Sequence, residues 1–314
     1  MSFENLQKYL IFFSYLGKHY KGVQSQTRRI PTFETIGVKT VKEDKSIQIQ
    51  LEKAFNRLLP KPKNEIKVGI SSRTDAGVNA LINSCQLSLA HPIEGCYYIP
   101  SHIVKTANDY FLNHNQSIIL RRVVPVHHMF VAVLHALSRT YVYRIAVVKK
   151  PIHSKTDVDL TSLLPIDELY RCLPVCSPQG YLDIAKMQEV CDLFIGTHDF
   201  TSFRSPQIRD TRPSERTIYE CFLRFIPDTY LNGCDPAYKN IDIIEIVIKG
   251  KSFLYNQVRR MVGALIAVGK GKNTVEEIRS FLHEPGSGKG KIIVPPPDGL
   301  YLANIEYDTN GLYI

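Results

Sequence analysis

No stretch of this 314-residue chain reaches the ~18 consecutive apolar residues that a membrane-spanning helix needs. The longest apolar pieces, around Tyr9–Leu16 and Val123–Leu137, are interrupted by Ser, Pro and His. Glu4 precedes the first apolar run and no small-residue cleavage site follows, which argues against a secretory leader. Nor does this start read as an Arg-rich transit peptide. Acidic residues are in short supply: 30 Asp and Glu face 39 Lys and Arg, a formal charge of +9. Seven cysteines stand at irregular spacing, an odd count that fits reduced thiols in an intracellular protein. Cys172 and Cys176 are the one close pair, and no second pair at zinc-ligand spacing follows, so no metal site is expected. The Gly-Ser-Gly-Lys-Gly-Lys run at 286–291 lacks the Ser or Thr of a phosphate loop and the strand-to-helix turn around it.

What is present suits a globular protein that binds a polyanion. Hydrophobic residues make up 44%, enough for a sizeable core. Excess positive charge favours nucleic acid, because neutralised phosphates release counterions; simple solubility is the other reading. Arginines cluster at Arg121-Arg122, from Arg204 to Arg216, and at Arg259-Arg260. Tyr141, Tyr143, Phe200, Phe203 and Tyr255 lie among them, where they can stack on unpaired bases or simply pack in the core.

Periodicity gives the element order. Strands are expected at Lys8–Leu16, Glu65–Ser71, Ser84–Ala90 and Ser117–Val124. Helices are expected at Ser46–Leu59 and at Ser101–Leu112, the latter with Ser101 as N-cap. The order is β-α-β-β-α-β. It repeats with strands at Arg139–Val148, Arg216–Phe225, Ile241–Lys249 and Leu300–Tyr307. The helices of this half are Asp183–Ile195, capped by Asp183, and Phe253–Val268. An added helix, Asn273–His283, carries a Thr274/Glu277 capping box. The expected fold is α+β: two ferredoxin-like halves, residues 1–125 and 126–314, whose strands form a mixed, mostly antiparallel sheet with helices on one face and an active-site cleft between the halves. Gly22–Glu43, Lys149–Leu164, Pro174–Gly180, Pro227–Lys239 and Pro285–Pro297 read as loops.

Arg73-Thr74-Asp75-Ala76-Gly77-Val78 concentrates the chemistry. It follows a strand and so lies in a tight loop, where backbone can approach a ligand closely. Asp75 fits an Asx turn or a surface ion pair as well as a catalytic carboxylate. Three further segments join it: Ser138-Arg139-Thr140-Tyr141-Val142-Tyr143-Arg144, Gly196-Thr197-His198-Asp199-Phe200-Thr201-Ser202-Phe203-Arg204, and Phe253-Leu254-Tyr255-Asn256-Gln257-Val258-Arg259-Arg260-Met261-Val262-Gly263.

Together, and in this order, these segments resemble the tRNA pseudouridine synthase A family, closest to its eukaryotic tRNA pseudouridine synthase-like branch. The resemblance runs from Tyr15-x4-Tyr20 to Gly299-Leu300-Tyr301-Leu302. It implies isomerisation of uridine to pseudouridine in tRNA or another structured RNA, with no cofactor. By this resemblance Asp75 is the essential carboxylate, Arg259 its guanidinium partner, and Tyr141 the active-site tyrosine that stacks on uracil and serves proton transfer at C5. Arg73 holds the RNA open where the target nucleotide flips. Arg139, His198, Arg204 and Arg260 are RNA-binding candidates. His198-Asp199 reads as an RNA-contacting or loop-structuring pair, with a catalytic dyad as a third option. Bacterial relatives pair and some eukaryotic ones do not, which leaves a homodimer open. The resemblance likewise leaves mitochondrial and cytoplasmic or nuclear locations open. Three departures stand out: Asn79 where the family has His, Phe130-Val131-Ala132-Val133 where it has Phe-His-Ala-Arg, and Gly22-Val23-Gln24 where it has Gly-Trp-Gln.

Overall fold

The computed structural model describes residues 6–25, 27–32, 37–42, 45–149, 160–177, 179–205, 213–227 and 234–308. Glu4, the side chains of Arg28 and Arg29, Arg209 and Arg212 of the arginine cluster, and parts of the Lys149–Leu164, Pro174–Gly180 and Pro227–Lys239 loops lie outside the described residues. The fold is mixed α+β with mostly antiparallel strands. The chain divides into two compact units. One contains the residues up to Leu137 together with those from Leu302 on; the other is Ser138–Tyr301.

In the first unit the elements are β1 (Leu6–Tyr15), a hairpin of β2 (Thr27–Thr32) and β3 (Gly37–Lys42), α1 (Ile47–Phe55), β4 (Val68–Ile70), β5 (Asn79–Ala90), α2 (Pro100–Asn113) and β6 (Ile118–Val126). The sheet order is β6-β1-β5, with β4 also on β5 and every pair antiparallel. This is the order that two interleaved βαβ units produce, because each helical crossover returns the chain to a strand one place beyond its neighbour. The core gathers Leu10, Val124, Val126, Phe130 and Ala132.

Three local expectations are corrected here. Gly22–Glu43 is not a plain loop, since β2 and β3 pair within it. Ser101 does not cap α2. Pro100 occupies the first helical position and Ile99, extended at φ −69°, precedes it. Proline lacks an N–H and fixes φ, so it suits that position better than serine suits the cap. β5 begins five residues earlier than its alternation suggested, because Asn79, Asn83 and Ser84 are polar yet buried.

In the second unit β7 (Ala136–Val148) leads to β8 (Leu173–Val175), α3 (Ile184–Phe194), β9 (Gly196–Asp199), β10 (Glu215–Ile226), β11 (Ile241–Gly250), α4 (Gln257–Gly269), α5 (Val275–His283) and β12 (Leu300–Tyr307). The sheet order β7-β11-β10-β9 is antiparallel throughout, with β8 parallel on β7. Asp183 caps α3 by accepting from the Lys186 N–H, and the Thr274/Glu277 capping box of α5 is complete. α4 starts four residues later than expected. Asn256 adopts the left-handed conformation (φ 60°) and stops the helix from extending back through Phe253. Residues of β12 from Leu302 on belong to the first unit, where the strand neighbours β5. Ala146, Val148, Leu164, Cys172, Tyr238, Ile241 and Ile243 form one core cluster of the second unit. All seven cysteines are free, and no helix among the described residues is long and apolar enough to cross a membrane.

Candidate active site

The Asp75 loop leaves β4 and is tied down on nearly every side. The Tyr15 hydroxyl and Thr74 Oγ1 share a hydrogen bond of 2.6 Å. Asn83 Nδ2 donates to the Ser72 carbonyl at 3.0 Å and to the Tyr15 oxygen at 3.2 Å. The Tyr307 hydroxyl donates to Ser71 Oγ at 2.7 Å, and Ser71 Oγ donates to the Ala132 carbonyl at 3.0 Å. Val23 N–H donates to the Thr74 carbonyl, and Val78 N–H closes a turn onto the Asp75 carbonyl. Gly77, at φ +81°, lets the chain make that turn. Ser71, Ser72 and Thr74 are thereby buried, Asp75 is half-buried and Arg73 is exposed. Polar side chains spent on the scaffold leave the loop one rigid geometry, the condition for holding a reactive carboxylate.

Asn79 belongs to this scaffold. It is buried, and its Oδ1 accepts from the Gly17 N–H at 2.8 Å. A Cβ on Gly17 would stand 2.1 Å from the Val78 carbonyl oxygen, so that close approach requires glycine. Asn79→Ala would strand a buried N–H, at a cost of about 1–3 kcal/mol. The expected result is a melting temperature several degrees lower, read by thermal unfolding.

The second unit assembles its own cluster. Tyr141 on β7 is buried, with Phe253 edge-on at 5.2 Å. β11 ends at Gly250, opposite Arg139 in register. Arg139 is buried and its Nη1 donates to the Lys251 carbonyl at 2.8 Å, pinning the segment that leads into α4. The fully buried Gln257 accepts from the Leu254 N–H at 2.8 Å, and the Tyr255 carbonyl accepts from Ser205 N–H. Arg259 then sits on the first turn of α4. Its Nε donates to the Pro295 carbonyl at 2.8 Å and its Nη1 to Asn256 Oδ1 at 3.1 Å.

A strap, residues 293–299, holds this arrangement. The Tyr143 hydroxyl donates to the Pro296 carbonyl at 2.7 Å, next to the Pro295 carbonyl that anchors Arg259. Tyr143 is wholly buried. Burial raises its phenol well above the ordinary tyrosine value, against the opposing pull of the Arg259 charge. Gly263 lets the strap approach α4, because a Cβ there would lie 2.0 Å from the Ile293 carbonyl oxygen. Gly263→Ala must push the strap away, by overpacking that costs roughly 1–3 kcal/mol. Displacing the Arg259 anchor should lower turnover about tenfold to a hundredfold, checked by single-turnover rates.

In the third segment His198 Nε2 lies 2.9 Å from the Ile195 carbonyl, while Asp199 Oδ1 accepts from the Thr201 N–H and hydroxyl at 2.8 and 2.6 Å. Asp199 structures the turn after β9, His198 reaches back to the residue before the strand, and the two side chains do not form a dyad. Arg204 is half-buried, with Nη1 donating to Ser214 Oγ at 3.3 Å. Of the five aromatics offered for base stacking, Phe200 and Phe203 pack with Phe194 in the core, and Tyr141 and Tyr143 are buried. Tyr255 alone is exposed, at 45%.

Residues 190–308 match the tRNA pseudouridine synthase family. The tRNA pseudouridine synthase-like 1 of Xenopus laevis is 32% identical over 309 residues, covering 97% of this chain and 93% of that protein. Its counterpart of the same name in Mus musculus is 31% identical over 305 residues, covering 97% and 95%. The tRNA pseudouridine synthase A 2 of Clostridium tetani is 31% identical over 294 residues, covering 94% and 96%. The chain belongs to the tRNA pseudouridine synthase family.

As a tRNA pseudouridine synthase family member, the chain has supports that single residue types did not announce. Tyr15, Asn83 and Tyr307 steady the Asp75 loop, and Asn256 and Pro295 steady Arg259. Asn83 carried a faint signal, an amide directly ahead of the strand read at Ser84–Ala90. The Pro295 carbonyl carried none, since any residue supplies one.

Proposed function

We propose that the protein isomerises uridine to pseudouridine in tRNA, most directly in the anticodon arm, with Asp75 as the essential carboxylate. Full-length similarity to tRNA pseudouridine synthases, joined to the braced loop that presents Asp75 beside the exposed Arg73, carries this reading. In the reaction the N1–C1′ bond breaks and a C5–C1′ bond forms, C5 loses a proton and N1 gains one. The base is rearranged without redox change or net hydrolysis. An ionised carboxylate can attack C1′ or C6, or assist proton removal at the sugar. Arg259 serves as its charge partner. Tyr141 stacks on uracil and serves proton transfer at C5. Arg73 and Arg204 contact the RNA backbone, Arg73 offsetting the few kcal/mol of unstacking when the nucleotide flips.

A second reading is RNA binding without catalysis. The replacement of His and Arg by Val131 and Val133 favours it, since Val133 is an exposed apolar residue where the family pattern is basic. Tritium release from tRNA transcripts carrying 5-tritiated uridine separates the two. Release of one tritium per target site supports the synthase. No release from any tRNA, with binding intact, leaves the second reading.

A further inference from the structure

Arg260 is the one buried charge in the α4 segment with nothing to balance it. The side chain sits on the first turn of α4, and the residue is only 6% exposed. Its Nε and Nη1 are fully covered and meet no hydrogen-bond partner. Three other arginines of the second unit are satisfied: Arg139 by the Lys251 carbonyl, Arg144 by Glu168, Arg259 by Pro295 and Asn256. Among the described residues no carboxylate pairs with Arg260. Buried guanidinium groups without a counter-charge are costly, and folded proteins rarely keep them without a use.

The surroundings suit an anion. Asn256 precedes α4 without a side-chain cap; the Leu254 and Asn256 carbonyls take the Gln257 and Arg260 N–H groups, which leaves those of Val258 and Arg259 to carry the partial positive charge of this 13-residue helix's start. Nη2 of Arg260 is the nitrogen that keeps solvent access, and the charge is delocalised over the whole group, so an anion meeting Nη2 compensates all of it. Burial also lowers the Arg260 pKa, a further sign of a cation held short of solvation.

We propose that the first turn of α4, with Arg260 as its unpaired cation, is the seat of one phosphodiester of the substrate RNA. The inference rests on the RNA-synthase reading and deepens it: the free protein carries an unbalanced charge that RNA neutralises. A structural arginine and a phosphate-binding arginine then predict opposite results.

The test uses full-length wild type, Arg260→Met and Arg260→Lys, with an unmodified tRNA transcript as probe. Without RNA, Arg260→Met should melt at the wild-type temperature or a few degrees above, because the stranded charge is gone. Its affinity for the transcript near 0.1 M KCl should fall about tenfold. Its plot of log affinity against log salt should be shallower by about 0.7–0.9, the loss of one phosphate contact. Arg260→Lys should retain the wild-type slope. A Met variant that melts well below wild type with an unchanged salt slope would overturn the proposal. Binding is read without turnover. A wild type that binds with the predicted slope difference but releases no tritium defeats the catalytic reading alone. Normal tritium release with no slope difference defeats this one alone.

Discussion

Asp75→Asn is expected to abolish tritium release from 5-tritiated uridine in tRNA, by a factor of about 10³ or more. The asparagine keeps the size of the side chain, and the turn that Val78 N–H makes onto residue 75 uses a backbone carbonyl, so the loop should persist. Thermal unfolding should therefore stay near wild type. What disappears is the ionised carboxylate, which no amide can replace as nucleophile or base. Losing a group that acts at the reacting atoms typically costs 10²–10⁴ in rate or more. Affinity for tRNA should hold or tighten slightly, since a negative charge facing a polyanion is removed. Equal release from variant and wild type would remove Asp75 from the chemistry while leaving the family membership intact.

The second large effect concerns stability. Arg144 on β7 makes a bidentate pair with Glu168, at 2.6 and 2.8 Å, and approaches Glu245 at 3.5 Å. The Arg144 and Glu168 side chains are only 16% and 6% exposed. Burial alone would lower the Arg144 pKa, but its bond and charge interaction with Glu168 raise it overall. Arg144→Met leaves the Glu168 carboxylate buried without its partner. The expected cost is about 3–5 kcal/mol, because desolvation is kept and compensation is lost. That corresponds to a fall of roughly 10 °C in melting temperature for a unit of this size. The double variant Arg144→Met/Glu168→Leu should recover most of the loss, as paired apolar replacements of buried ion pairs usually do. A double variant no better than the single would show that the pair is not what stabilises this part of the second unit.

Much of the architecture was legible because it depends on near neighbours in the chain. The Thr274/Glu277 box and the Asp183 cap satisfy orphan N–H groups within one turn, so both could be read directly. The two β-α-β-β-α-β passes followed from periodicity, and the strand order within the first unit agrees with them. β5 was harder. Asn79 and Asn83 look like turn residues until the loop they brace is in place. α4 was read too long because Phe253-Leu254-Tyr255 has helical spacing, and its true start depends on a left-handed Asn256.

The candidate site divides along the same line. Asp75, Tyr141 and Arg259 were singled out through the family resemblance of the contiguous motifs in which they stand. Amino-acid order could not rank the arginines. Arg73, Arg139 and Arg260 are one residue type in similar company, yet the first is exposed, the second grips a carbonyl and the third is buried unpaired. Exposure and pairing are set by groups far away in sequence, such as the Lys251 carbonyl for Arg139 and the Pro295 carbonyl for Arg259. Burial costs a charge its hydration, so a charge's role depends on which distant atoms repay that cost. Packing alone decides that, and it turned a list of basic residues into one exposed side chain, one internal brace and one buried, unpaired cation.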